Sequence, residues 1–226
     1  MEITIATRSG GGPDGIEDLV VTGGHFALVL GGSDTGTGSD GGSGINPAGA
    51  DGCGHDAHGL VREVGHRLAE GLLRDEDAPL APMLRAAFDS VGEARHGRCA
   101  STLEPTQVRP SVTVSVLRER GNFLDLLVLG EVAALVQFPD LTVNAVRGHR
   151  PAGGWETEAS SAAVGSLPAK DVHRVCLLSA GAYRLAEPYR KRWPLLLDRF
   201  GSEGPDAFLS ATPYDDASVA LCVPHL

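Results

Sequence analysis

Leu177-Leu178-Ser179-Ala180-Gly181-Ala182 and, far earlier, Ile16-Glu17-Asp18-Leu19-Val20-Val21 each read as an apolar strand with small or acidic residues at its tip. The two are expected to meet in space. Residues 2–7 alternate about Ile3 and Ile5 and predict a first strand. Residues 17–22 predict a second and 26–30 a third, joined by a Gly23-Gly24 turn. Leu60, Val61, Val64, Leu68, Leu72 and Leu73 put one apolar face on a helix over 56–73. Pro79 suits a first helical turn, and Leu80, Met83, Leu84, Ala87, Phe88 and Val91 form the stripe of a second helix over 79–95. Strands over 111–117, 123–129, 133–138 and 141–146, with turns at Gly121-Asn122 and Pro139-Asp140, read as an antiparallel meander. A strand over 174–179, helices over 182–187, 193–200 and 205–211, and a strand over 218–223 complete the order. This order implies one α+β domain over 1–226.

Two segments carry little periodicity. Ten of the 24 residues over 31–54 are glycine, which is costly to order and offers little to bury. This segment reads as a flexible loop, or as a lid. Residues 147–170 are Gly/Ala/Ser-rich and read as a loop or a second lid, and the two segments together could enclose a small molecule.

The net charge of −10 argues against a broad nucleic-acid or anionic-membrane surface, because both need clustered cations. Met1-Glu2-Ile3-Thr4 places an acid where a basic leader would stand. No apolar run approaches membrane-spanning length, so a cytoplasmic protein is expected. Cys53, Cys99, Cys176 and Cys222 are too scattered for a disulfide framework, and the last two read as buried strand residues. Cys53, His55 and His58 have the residue types of a zinc site but lack a standard spacing or a second ligand pair.

Five short motifs occur in an order that resembles the type-2C, metal-dependent serine/threonine protein phosphatases, in their small bacterial form. Glu17-Asp18 matches that family's Glu-Asp. Leu28-Val29-Leu30 ends in Gly31-Gly32 where the family has Asp-Gly. Leu129-Gly130-Glu131-Val132 stands for Leu-Gly-Asp-Ser, and Leu178-Ser179-Ala180-Gly181-Ala182 for Leu-Ser-Asp-Gly-Ala. Asp215-Asp216-Ala217-Ser218 matches Asp-Asp-Ala-Thr. The resemblance implies a four-layer sandwich, two antiparallel sheets flanked by helices. It also implies that a carboxylate bridging two Mg²⁺ or Mn²⁺ ions is lost at Gly31, and a terminal ligand at Ala180. The position of the family's phosphate-gripping arginine falls in Pro13-Asp14-Gly15.

A binuclear hard-cation site needs several carboxylate oxygens to repay dehydration of the ions. With two gone, no cofactor is expected, and residual Mg²⁺ or Mn²⁺ binding should be weak unless Asp34 replaces the missing group. On the resemblance, Glu17, Asp18 and Asp215 should converge, with Asp216 and Glu131 nearby. Clustered acids without a metal repel, which raises the pKa of at least one and suits it to proton transfer. Three functions follow. One is a metal-independent acid–base catalyst on a small molecule, of condensation, cyclisation or isomerisation type, in bacterial specialised metabolism. Another is a non-catalytic pseudophosphatase that binds a protein partner. The third is a weakened phosphatase.

Overall fold

The computed structural model describes residues 1–10, 18–33, 57–98, 111–148, 160–210 and 216–225. Strands β1 (Glu2–Arg8), β2 (Leu19–Thr22) and β3 (Phe26–Ser33) lead into helices α1 (Ala57–Arg74) and α2 (Leu80–Arg98). Strands β4 (Ser111–Arg120), β5 (Phe123–Leu129), β6 (Ala133–Gln137), β7 (Val143–Arg147) and β8 (Ala163–Pro168) follow. Then come β9 (Arg174–Leu178), α3 (Ala180–Ala186), a 3₁₀ segment (Glu187–Arg192), α4 (Trp193–Glu203), α5 (Asp206–Leu209) and β10 (Ala217–Val223).

The strands form two five-stranded antiparallel sheets, ordered β1-β10-β9-β6-β7 and β2-β3-β4-β5-β8. Alternation along each strand sends side chains to two different cores. Leu28, Leu30, Val114, Val116, Leu127 and Leu129 pack under α1 and α2 with Leu60, Val64, Leu68, Leu84 and Phe88. Their neighbours Ala27, Val29, Leu117, Leu126 and Val128 meet Val136, Leu177, Ala220 and Cys222 between the sheets. The outer faces of β6, β9 and β10 pack Leu135, Cys176, Leu178 and Val219 against Trp193, Leu197 and Phe200. Four layers result, as expected. Val20, Leu177 and Ala180 share the inter-sheet core, so the two opening stretches do meet.

Three local expectations change. Strands β4 to β7 are not one meander: β4 pairs with β5 in one sheet, and β6 pairs with β7 in the other. The crossing is a tight turn at Gly130, whose φ is +82° and whose carbonyl accepts from Val132 N at 2.8 Å. Second, part of the 147–170 segment is strand β8, paired with β5 from Phe123↔Pro168 to Val128↔Ala163. This is an edge strand whose residues are all half-buried or exposed, so its sequence lacks the usual apolar alternation. Third, Leu73 points away from the α1 stripe and is 65% exposed.

The α1–α2 layer is anchored by charge as well as by apolar packing. Arg118 is almost fully buried; one nitrogen donates to Asp125 Oδ2 at 2.7 Å and another to the Ala78 carbonyl, between the helices, at 2.8 Å. Arg120 Nε also reaches Asp125 Oδ2 at 2.8 Å, and Ser166 Oγ donates to Oδ1 at 2.8 Å. Burial alone would raise the Asp125 pKa, but the donors from Arg120, Arg118 and Ser166 outweigh it and hold it to about 2.

Candidate functional site

The hairpin β2–β3 pairs Leu19 with Leu30, so Asp18 lies beside Gly31 at the open end of the pair. A Cβ built on Gly31 would stand 2.8 Å from Asp18 Oδ1, closer than real side chains come, and 3.0 Å from Thr113 Oγ1, a tight contact. The Asp18 carboxylate thus occupies the room that a side chain at position 31 would need. Thr113, opposite Gly31 on β4, donates its hydroxyl to the Gly31 carbonyl at 3.1 Å.

Two more glycines close this corner. A Cβ on Gly130 would stand 2.8 Å from Thr113 Cγ2, and one on Gly148 would run into the Gly130 carbonyl. Gly31, Gly130 and Gly148 therefore let three strand ends and the Asp18 carboxylate approach at backbone distance. Glu131, next after Gly130, is exposed.

On the other sheet, Asp216 precedes β10, and its Oδ1 accepts from Gly10 N at 2.5 Å. The ends of β9 and β10 are tied by a reciprocal pair: Ser179 Oγ accepts from Ser218 N at 2.9 Å, and Ser179 N donates to the Ser218 carbonyl at 3.0 Å. Both serines are fully buried. Ala180 follows directly, its methyl packed against the inter-sheet core. Arg8, the basic residue nearest the expected phosphate grip, donates instead to the Leu209 carbonyl at 3.1 Å.

Of the acids expected to converge, the structure describes Asp18, Asp216 and Glu131. Glu17, Asp215 and Asp34 lie outside the described residues, as do Cys53 and His55. His58 sits in the first turn of α1. Trp193 is core, with Nε1 donating to the Ala186 carbonyl at 3.0 Å. Cys176 and Cys222 are buried strand thiols, and burial pushes Cys222 up to about 12.

Sequence reading missed Thr113, Gly130 and Gly148 as parts of the corner. The signal for Gly130 and Gly148 was a glycine directly after a strand. For Thr113 there was none, because its role depends on the register with Gly31.

The described donors do not fit a binuclear metal centre. Position 31 offers no oxygen from a side chain, Asp18 fills the space above it, and position 180 offers a methyl. Among the described residues, no three His, Cys, Asp or Glu side chains form a metal-holding group.

No family profile matches the chain, and no curated protein does. Solved structures do. A bacterial serine phosphatase superposes with a TM-score of 0.67 at 14% identity, covering 100% of this chain and 99% of that one. A serine/threonine phosphatase from Staphylococcus aureus gives 0.66 at 12% identity, covering 100% and 96%. The catalytic domain of another serine/threonine phosphatase, solved with two manganese ions, gives 0.65 at 14% identity, covering 98% and 97%. The chain therefore has the fold of the bacterial PPM serine/threonine phosphatases, over its whole length. No described helix is long and apolar enough to cross a membrane.

Proposed function

We propose that this chain is a phosphatase-fold binding protein that no longer performs metal-dependent phosphoester hydrolysis. The corner at Gly31 carries the reading: the bridging carboxylate is absent, and Asp18 fills the room its side chain would need. Two cations held side by side need several convergent carboxylate oxygens, and the pair is what would generate the attacking hydroxide. With Gly31 and Ala180 at two ligand positions, the chain keeps the scaffold and loses that chemistry. The presence of β8 within 147–170 also shortens a segment that otherwise reads as a cover for a small molecule.

The test is calorimetric titration with Mn²⁺ and Mg²⁺ beside an aryl-phosphate hydrolysis assay on the same sample. Neither micromolar binding nor metal-dependent turnover is expected. Micromolar binding with turnover would return the protein to the phosphatases.

One observation favours a second reading, a metal-independent acid–base catalyst acting on a small molecule. Asp18 is half-buried, with Oδ2 buried, and its Oδ1 and the Thr113 hydroxyl both lie over Gly31 in a corner walled by backbone. Such a group can exchange a proton with a ligand. If Asp18→Asn keeps the fold but abolishes the protein's cellular role, catalysis gains; an intact role favours binding.

A further inference from the structure

We infer that the outer face of the 3₁₀ segment and α4 is a docking surface for an acidic, apolar-containing segment of a partner protein. This inference rests on the binding reading above. Arg190, Lys191 and Arg192 are consecutive and exposed, on a chain with 19 basic and 29 acidic residues. Lys191 and Arg192 make no hydrogen bond or ion pair among the described residues. Elsewhere the arginines are mostly committed: Arg118 and Arg120 to Asp125, Arg174 to Asp198, Arg67 to Glu70. Arg62, Arg74 and Arg85 are also exposed, but they stand among Glu63 and Glu70 on α1 and Asp75, Glu76 and Asp77 in the α1–α2 connector, whereas the acids of the proposed face, Glu187, Asp198 and Glu203, are paired with Arg147, Arg174 and Arg199.

The cations are joined by exposed apolar groups. Tyr189 is 50% exposed and Leu195 67%. On α4 and its cap, Arg192, Leu195 and Arg199 follow at spacings of three and four, which puts them on one helical face. Phe208 joins the two elements, its ring meeting Tyr189 of the 3₁₀ segment and, at 5.1 Å, Phe200 of α4, so the 3₁₀ segment lies alongside α4. The Tyr189 ring rests edge-on against Phe208 at 6.2 Å, and Arg199 Nε is tied to Glu203 at 2.7 Å. These contacts fix an aromatic ring and a guanidinium before any partner arrives.

Tyr and Arg are the residues that concentrate binding energy at interfaces, especially around an apolar centre. The charge pattern selects the partner. An acidic segment is repelled by a surface of net charge −10 and attracted at this face, which steers it and fixes its register. Leu195 and Tyr189 require apolar side chains on that segment, which a purely ionic ligand lacks.

The experiment uses the full chain and fluorescence anisotropy with a short labelled peptide that alternates Glu and Asp with Leu and Phe. Two control probes are the same peptide with Ser for Leu and Phe, and a single-stranded oligonucleotide. The wild type is expected to prefer the first peptide. Combined Arg190→Ala, Lys191→Ala and Arg192→Ala should weaken it by roughly tenfold, and Tyr189→Ser with Leu195→Ser by several-fold. Melting by circular dichroism confirms that both variants fold. No binding, equal binding of all three probes, or unchanged binding in both variants overturns the proposal. So does self-association in sedimentation that the triple variant abolishes, because the occupant is then a second copy. These results leave the metal titration untouched, so the docking surface can fail while the non-phosphatase reading stands, and the reverse.

Discussion

Asp125 and Asp18 belong to the same sheet and are held in opposite ways. Asp125 is fixed by what surrounds it: two arginines and a serine donate to it, and its pKa is held to about 2. Asp18 is accommodated by what is missing, since its carboxylate lies where a Cβ at position 31 would make it shift. The first arrangement is structural and closed. The second is open, because it rests on a glycine that a single mutation would fill. A buried charge with its donors supports the layer packing; a carboxylate over a bare backbone is held by no such set of donors.

The largest effect should come from breaking the closed arrangement. Asp125→Ala leaves Arg118 buried without its counter-charge, and chemical denaturation should show a loss of about 3–5 kcal/mol. A loss near zero would mean that the two arginines find solvent and that the contrast is false. Acid should act next. The Asp125 pKa is depressed, so its stabilisation is present above about pH 4 and is lost as pH falls toward 2. Over that range the unfolding free energy should fall by on the order of 2 kcal/mol more in the wild type than in Asp125→Asn.

A smaller effect sharpens the other side. Gly31→Ala should cost about 1 kcal/mol more in the wild type than in an Asp18→Ala background, because only the former must displace a carboxylate. Additive changes would mean that Asp18 and position 31 do not compete. The smallest should be Thr113→Val, which keeps the shape and removes the 3.1 Å bond to the Gly31 carbonyl. Equilibrium unfolding should register about 0.5–1.5 kcal/mol.

Much of the fold was legible because burial leaves a period. The α1 stripe of Leu60, Val64, Leu68 and Leu72 and the apolar strands β3, β5 and β9 announce which face turns inward. What was not legible depends on partners distant in sequence. Nothing in Leu129-Gly130-Glu131 says that the chain changes sheets there. Strand β8 hides because an edge strand need not alternate. The Arg118–Asp125 pair did leave a trace, an Asp inside Phe123-Leu124-Asp125-Leu126-Leu127 across a hairpin from an Arg. The site was legible only by resemblance: position 31 could be marked as empty, but the presence of Asp18 in that space needed coordinates.

The bare position at Gly31 also bears on how the chain could change over generations. A mutation placing an aspartate there would set its side chain against the Asp18 carboxylate, two like charges at contact. Unless a cation arrived with it, such a substitution would be selected against for stability alone. Ala180 would still lack its oxygen. On the reading proposed above, a metal pair would need new oxygens at positions 31 and 180 alike, so no single substitution would supply its site.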